Sequence, residues 1–552
     1  MPSETAAAAP SPPAASAWAP FRSRVFAVVW TAVLLGSIGT WIRDVGAGWL
    51  MTSLSASATA VAMVQAATTL PLFLLALPAG ALADSVDRRR LLLGVHAAMA
   101  AISLGMGLLT QAGLMTPTLL VLGLLLAGIC TALVTPVLQS LTVLLVPRPQ
   151  LRAAIALNSM GLNVSRAIGP ALGGLLLALA GTEFNFFADA LSYLFVIAAF
   201  WWWKGASVRA STGTPEQMGA ALRAGLRFAW HAPALRRSML RSASFFVFAS
   251  AYWALLPLIA RQQLGGSPAF YGLLLGCVGA GAVLAALALP ALRRRLSAEA
   301  TVRCGTAASV VVLVLLASTR QQALAAATMV LAGAAWIAVL STANVIAQTS
   351  LPDWVRGRGL ALYLSVFYGA MTLGSFVWGQ TAERAGVPAA LLAAAGVGVL
   401  ALALAWLRPL PDAEPDLTPS LHWPEPALSP AMAASLVQDR GPVMVTVEYR
   451  VAPEHTAGFL AAVHAFAPER RRDGAYAWGI YEDAADSGRF VESFLLPSWQ
   501  EHQRQHRRVS QADAALQARV HAFHLGPTPP RVQHFVAPAR GRPRASDDGE
   551  RR

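Results

Sequence analysis

The sequence predicts an all-α membrane protein with twelve transmembrane helices in two six-helix repeats, followed by a C-terminal α+β domain. Of its 552 residues 56% are hydrophobic and 13% are charged, and the mean hydropathy is +0.53. These values exclude an ordinary water-soluble chain. Apolar stretches recur between short polar breaks over residues 21–408, which leaves about 32 residues for each span and its loop. The bilayer is therefore the solvent for most of the chain.

The elements follow from the apolar stretches in order. Residues 1–20 are rich in proline and alanine without an uninterrupted apolar core, so we predict a disordered N-terminal tail and no cleaved signal peptide. The predicted spans are 25–49, 59–83, 91–110, 118–145, 153–180, 184–203, 240–262, 269–291, 301–319, 322–347, 359–382 and 388–407.

Basic residues mark one side of the membrane. Twelve spans place both termini on the same side, and 21 basic residues fall on that side, against Arg261, Arg320 and Arg384 on the opposite loops. The positive-inside rule therefore predicts cytoplasmic termini in the plasma membrane. In a membrane protein, the net charge of +14 favours contact with anionic lipid headgroups over binding of nucleic acid. The 21 positions are 22, 24, 88–90, 148, 152, 204, 209, 223, 227, 236, 237, 241, 293–295, 303, 356, 358 and 408.

Two halves are predicted, an N-terminal bundle at 21–203 and a C-terminal bundle at 238–408, joined by a cytoplasmic connector at 204–237. At an offset of 205 residues the halves share proline, alanine, leucine and glycine positions. Parallel six-span repeats suit a transporter whose halves move about a midplane site. The shared positions are Pro147, Ala156, Leu157, Gly169, Gly174 and Gly181 with Pro352, Ala361, Leu362, Gly374, Gly379 and Gly386.

Beyond the membrane region, residues 409–442 are too proline-rich for a helix and are predicted to be a linker. The order of predicted elements in 443–536 is βαββαβ, a ferredoxin-like unit, and 537–552 is a predicted disordered tail. The predicted strands are 443–450, 475–482, 489–496 and 532–536, and the predicted helices are 454–470, 499–508 and 511–524.

The loop after the second span reads GALADSVDRRR from Gly80 to Arg90. It resembles the G-x-L-a-D-x-x-x-R-[RK] loop of the major facilitator superfamily. The resemblance implies the major facilitator fold and a conformational latch. A plain basic turn on the cytoplasmic side is the alternative. The latch residues are Gly80, Asp84, Arg88 and Arg89, with Arg356 and Arg358 as the partner patch.

The fifth span carries a second motif. Gly169, Pro170, Gly173 and Gly174 match the end of the G-P-x-x-G-G motif found in exporters of this superfamily. Small residues permit close helix packing, and proline bends the helix. The earlier glycines of the motif are absent, and so is the usual arginine motif of the fourth span, so antiport is indicated less strongly than by a full match.

Arg166 is the most informative single residue, because it lies near the middle of the fifth span, where a charge usually faces a cavity or a partner. Asn163 lies one turn back, and their repeat mates are Tyr368 and Met371. These four residues are the candidate substrate cavity. The alternative is that Arg166 braces two helices through an acid.

Two such acids, Asp44 in the first span and Asp189 in the sixth, are also the candidates for proton coupling, since coupled export needs a carboxylate whose ionisation depends on access. No metal or other cofactor is expected. Cys130, Cys277 and Cys304 lie in apolar runs. His502 and His506 have a spacing able to share a metal, but a solvated helix face is the preferred interpretation.

The whole arrangement is similar to the transmembrane secretion effector branch of the superfamily, which includes enterobactin-exporter-like proteins. The resemblance implies proton-driven efflux of a small organic compound, and no enzyme activity. The C-terminal unit is similar to the dimeric α+β barrels of small monooxygenases, which implies dimerisation. Two alternatives stay open: an importer of the same fold, and a membrane-tethered protein whose C-terminal domain binds or modifies the cargo.

Overall fold

The computed structural model describes residues 18–203, 218–352, 354–407, 409–410, 416–420, 423, 426, 428–436 and 439–538, with the backbone alone at 77, 80–85, 143, 148, 152 and 218–224. Twelve helices in this part are long and apolar enough to cross a bilayer. The described residues form two compact units. The first lies within 1–214, 239–343 and 363–409, and the second within 215–238, 344–362 and 410–552.

The twelve predicted spans are confirmed. Several of the helices begin at the polar residues between the apolar stretches, because a Ser, Thr or Asp at the N-cap accepts a hydrogen bond from a backbone N–H of the first turn. Asp87 accepts such a bond from the Arg90 backbone at 2.9 Å. The spanning helices are α1 (Arg24–Leu54), α2 (Ala58–Ser85), α3 (Arg88–Gln111), α4 (Pro117–Leu145), α5 (Leu151–Ala180), α6 (Thr182–Trp202), α8 (Pro233–Leu258), α9 (Pro268–Leu292), α10 (Ala298–Ser318), α11 (Gln322–Thr349), α12 (Arg356–Ala385) and α13 (Val387–Leu407), and α7 (Met218–His231) lies between α6 and α8.

The two halves repeat in structure as they do in sequence. Shifting α4, α5 and α6 by 205 residues reproduces the bounds of α11, α12 and α13 to within one residue. The corner after α5 and the corner after α12 are both made by a glycine with positive φ, +107° at Gly181 and +88° at Gly386. Residues with a Cβ rarely adopt such a backbone, which explains why glycine stands at both places.

Three segments differ from the prediction. The connector contains α7, and the seventh span begins at Pro233, seven residues earlier than expected, because proline suits the first turn of a helix. The linker contains a short helix, α14 (Pro430–Leu436), which also starts at a proline. Ala19–Arg22 forms a 3-10 turn instead of a tail. The rest of the predicted tails, 1–17 and 539–552, lies outside the described residues.

The C-terminal domain has the predicted order of elements. Its sheet is antiparallel in the order β2-β3-β1-β4. Tyr449, Phe459, Phe490 and Val520 lie in the core between sheet and helices. The elements are β1 (Val443–Arg450), α15 (Thr456–Arg472), β2 (Ala477–Glu482), β3 (Arg489–Leu496), α16 (Trp499–Arg508), α17 (Gln511–His521) and β4 (Arg531–Val536).

The second unit joins this domain to α7 and to the loop between α11 and α12. Arg508 lies over the ring of Trp354 at 4.2 Å, and Phe228 of α7 meets Trp354 edge-on, with ring centroids 5.6 Å apart. Arg227 of α7 pairs with Glu501 of α16 at 3.2 Å. The domain therefore packs against two loops of the predicted cytoplasmic side.

Candidate functional site

The first cluster of the site is an ion-pair network on Arg43 of α1. The guanidinium is 3% exposed and donates to Asp44 at 2.9 Å and to Asp189 of α6 at 3.3 Å. The two acids predicted as separate candidates thus share one arginine. A buried pair of this kind is costly to break, because a lone charge is left without solvent.

Neighbouring polar groups fix this network in place. Ser103 of α3 donates to Asp189 Oδ2 at 2.6 Å, and the Asn185 amide donates to the backbone carbonyl of Ile42 at 2.8 Å. Asp189 is fully buried, whereas the side chain of Asp44 is 32% exposed. Asp44 is therefore the more exposed acid of the network.

Arg166 is not part of that network. Among the described residues no carboxylate lies within ion-pair distance of its guanidinium. Asp44 and Asp189 both pair with Arg43 instead, so the structure does not support the alternative in which Arg166 braces two helices through an acid. The guanidinium lies over the ring of Trp41 at 5.9 Å and is close enough to Tyr368 of α12 to interact electrostatically. The two residues, from opposite halves, are thus in electrostatic range of each other.

An aromatic wall, which the sequence reasoning missed, extends from this point. Ring centroids are 6.4 Å apart for Trp41 and Trp253, 5.3 Å for Trp253 and Trp336, and 6.4 Å for Trp336 and Phe367. Phe367 in turn contacts Tyr368 at 4.7 Å. Tryptophans are common in apolar spans, so only the packing of α1, α8, α11 and α12 distinguishes these rings.

The other two cavity candidates have local contacts. Asn163 donates to the carbonyl of Ser159 on its own helix at 3.0 Å. Met371 is buried, 4% exposed. The structure does not by itself link either side chain to Arg166.

The glycine motif of α5 holds helices together. A Cβ at Gly169 would lie 2.6 Å from the Trp41 Cβ, and one at Gly173 would lie 3.0 Å from the Ile42 Cα. Gly174 contacts the backbone of Gly272 on α9. The motif therefore permits close packing of α5 against α1 in its own half and against α9 in the other half.

Further contacts join the halves at the end of the bundle that holds the loop between α1 and α2. Glu383 of α12 accepts from the Ser57 hydroxyl at 2.8 Å and from the Thr59 backbone at 3.1 Å. The Thr69 and Thr372 hydroxyls are 2.8 Å apart. Helices α2 and α12 are therefore in direct contact at this end of the bundle and, through Thr69 and Thr372, farther along both helices.

The predicted latch is only partly described. The side chains of Gly80 and Asp84 lie outside the described part of the structure. Arg89 donates to the carbonyls of Phe200 at 2.9 Å and Trp201 at 2.8 Å, where it satisfies backbone acceptors at the end of α6. A Cβ on Gly225 of α7 would lie 3.1 Å from the Cβ of Arg358, so the partner patch is next to the connector helix.

The C-terminal domain contains its own buried charges. Glu492 of β3 pairs with Arg470 at 3.1 Å and accepts from Trp478 at 2.9 Å. Although burial opposes ionisation, Arg470 lowers the pKa of Glu492. Burial raises the pKa of Glu469 to about 7, even though Arg472 opposes this shift. Glu469 therefore titrates near neutral pH.

Comparison with known proteins gives consistent results. The sequence profile of a family described as transmembrane secretion effector matches residues 15–542. The multidrug efflux pump Tap of Mycolicibacterium fortuitum is 26% identical over 394 residues, which cover 69% of this chain and 95% of the pump. The staphyloferrin A transporter of Staphylococcus aureus is 25% identical over 256 residues, or 46% of this chain and 64% of that protein. The chain thus spans less than two thirds of the latter relative.

Solved structures show the same fold. A bacterial homologue of the human lysosomal transporter Spinster, inward-facing and unoccupied, has a TM-score of 0.55 and 16% identity over 70% of this chain and 97% of its own. A POT family transporter in complex with a thioalcohol-conjugated peptide has a TM-score of 0.58 and 11% identity over 70% and 96%. The membrane region has the major facilitator fold.

Proposed function

Because the chain belongs to the transmembrane secretion effector family, a family of major facilitator transporters, we propose that it exports a small organic compound across the plasma membrane by proton antiport. The chain is a multi-pass membrane transporter and not an enzyme. The cargo is siderophore-like or drug-like, in line with the two kinds of relative. The arginine distribution supports the proposal that both termini are cytoplasmic.

The placement of Arg166 carries the proposal. It is a cation deep in a span, without a carboxylate partner among the described residues, and its guanidinium lies over the ring of Trp41. A desolvated guanidinium attracts an anionic group, and the aromatic wall beside it suits planar apolar groups. We infer that Arg166 and Tyr368 contact the cargo, and that Asn163 and Met371 complete the cavity.

Alternating access follows from the contacts between the halves. In the proposed orientation, the end of the bundle that holds Ser57 and Glu383 is extracellular, and an exporter must load its cargo from the opposite, cytoplasmic end. Opening of the extracellular end must separate Gly174 from Gly272. The latch residues are proposed to hold the cytoplasmic end when it closes: Gly80, Asp84, Arg88, Arg89, Arg356 and Arg358.

Proton coupling is proposed at Asp44 and Asp189. Both acids compete for Arg43, so protonation of one strengthens the hold of the arginine on the other. Asp44 is the more exposed of the two and is proposed as the entry point. Protonation of Asp44 changes the ion pairs of Arg43, which join α1 to α6. Helix α1 also packs against the motif glycines of α5.

The test is transport in inverted membrane vesicles with and without a pH gradient, using a panel of labelled anionic siderophores and aromatic drugs. Arg166→Ala is expected to reduce export of anionic cargo by at least about tenfold, the loss of one charge-assisted contact. Arg320→Ala removes an exposed loop arginine and serves as the matched control. Unchanged export by Arg166→Ala, or uptake independent of the gradient for every compound, contradicts the proposal.

The same vesicles distinguish export from import. An importer of this fold would accumulate cargo only in right-side-out vesicles, and the incomplete glycine motif of α5 leaves that alternative to experiment. A domain that only binds cargo would leave both vesicle orientations inactive.

Dimerisation through the C-terminal domain is also proposed. On the sheet face away from the helices, Met444 and Phe535 are 37% and 46% exposed and pair across β1 and β4, next to the ion pair between Glu448 and Arg489. We propose that a second copy covers this exposed apolar pair. Cross-linking of the full chain in membranes is expected to give dimers that Phe535→Glu removes, and monomers throughout would contradict the proposal.

A further inference from the structure

Three histidines of the C-terminal domain converge at one place. His502 and His506 stand one turn apart on the same face of α16, and their ring centroids are 4.6 Å apart. His534 of β4 lies opposite Val445 in the sheet, and its ring centroid is 4.7 Å from that of His502. One ligand nitrogen from each of the three lies within 4.8 Å of the others.

The central histidine has unmet bonding capacity. His502 is 2% exposed, and within the described part of the chain neither of its ring nitrogens has a hydrogen-bond partner. A buried polar group without a partner costs about 1–3 kcal/mol. Since every nitrogen of an imidazole can bind either a hydrogen or a metal, a bound cation would relieve this cost.

We propose that His502, His506 and His534 form a binding site for a divalent first-row transition metal ion, with Zn²⁺ as the representative case. Imidazole nitrogens favour Zn²⁺, Cu²⁺ and Ni²⁺, whereas Mg²⁺ and Ca²⁺ require oxygen ligands. Three histidines leave a fourth position of a tetrahedral ion for water or for a chelating molecule.

The geometry needs only small side-chain movements. Zn–N bonds of about 2.0–2.1 Å place tetrahedral ligands about 3.4 Å apart, so the ligand nitrogens, now within 4.8 Å of one another, must approach by up to about 1.4 Å. His506 and His534 are only partly buried, unlike His502. The buried cation Arg470 is paired with Glu492 at 3.1 Å, which reduces its repulsion of a metal ion.

Metal binding to the purified full-length chain tests the site. Equilibrium dialysis with Zn²⁺ and the visible spectrum of Co²⁺ are expected to show one tightly held ion per chain in tetrahedral coordination. His506→Gln and His534→Gln are each expected to lower the affinity by more than about tenfold, the range already known for weaker outer-shell changes. His464→Gln, which removes an exposed histidine of the same domain, is the control and is expected to leave binding unchanged.

The outcomes separate cleanly. Weak binding by wild type, or equal binding by wild type and both variants, overturns the proposal. An equal loss of metal affinity in His464→Gln overturns it as well, because the ion would then be held nonspecifically by surface histidines. Export of cargo does not enter this readout, so failure of the metal site and failure of the proposed transport function are distinguishable.

Discussion

The two halves of the helix bundle share one backbone plan but differ in how they use their interior. At the offset of 205 residues, the charged residues Arg43, Asp44 and Asp189 of the first half correspond to Phe248, Ala249 and Ala394, all buried. Where the first half has Asn163 and Arg166, the second half has Tyr368 and Met371. At these five positions the first half is charged or polar, and the second half carries aromatic or apolar side chains.

This difference shows that the fold does not need charges at these three positions. The second half has uncharged side chains there, although it holds a buried ion pair elsewhere, between Arg241 and Glu299 at 2.8 Å. A buried ion pair is weak evidence of stability, because desolvation offsets much of the attraction. The charges of the first half are then best explained by function, and the predictions below are ordered by their expected effect on export.

The largest effect on export is expected when the buried charges of the first half are replaced by the corresponding uncharged residues of the second half. Asp189→Ala leaves Arg43 buried with one partner, and breaking a buried pair in this way costs about 3–5 kcal/mol, so thermal stability in detergent should fall and gradient-driven export should stop. The triple change Arg43→Phe, Asp44→Ala and Asp189→Ala copies the second half. It is expected to restore stability but not export.

A triple variant as unstable as Asp189→Ala would show that the second half is not a valid template for the first. A triple variant that still exports with a pH gradient would remove the coupling role from Asp44 and Asp189. Thermal unfolding and vesicle transport on the same preparations separate the two outcomes.

The comparison also shows what the sequence could predict. The twelve spans were found because bilayer thickness fixes the length of an apolar helix, and the strands at 443–450 and 489–496 because alternation has a period of two. Ser103 and Trp336 were missed, since contacts between α3 and α6, or between α8 and α11, depend on helix packing. His534 was missed for the same reason: only sheet register brings it to α16.

The glycines that join the halves are expected to give an intermediate effect. A Cβ at Gly174 meets the backbone of Gly272, which cannot give way, whereas one at its repeat mate Gly379 would lie 2.5 Å from the Ala62 Cβ. Overpacking costs about 1–3 kcal/mol, so Gly174→Ala should shift the chain toward opening of the extracellular end by roughly 5- to 150-fold. Gly379→Ala should shift it less.

Labelling of a cysteine placed at Ser53, in a chain without its native cysteines, reports this opening through an impermeant maleimide. Gly396→Ala is the matched control, because a Cβ there meets nothing within 4 Å. Equal labelling in all three glycine variants would mean that the α5–α9 contact does not control access.

The smallest effect on export is expected from Glu469, a buried acid outside the membrane that titrates near neutral pH. Its pKa is raised to about 7 by burial, against the usual 4.5, so between these values the folded domain holds a proton that the unfolded chain releases. The contribution of Glu469 to the unfolding free energy of the domain therefore falls as pH rises from about 4.5 to 7. Glu469→Gln should flatten this slope, as measured by urea midpoints from pulse proteolysis, while exposed Glu454→Gln should not.

If the pH profile of export also changes in Glu469→Gln, then part of the pH dependence assigned to the first half of the bundle belongs to the C-terminal domain, because this variant leaves Asp44 and Asp189 intact.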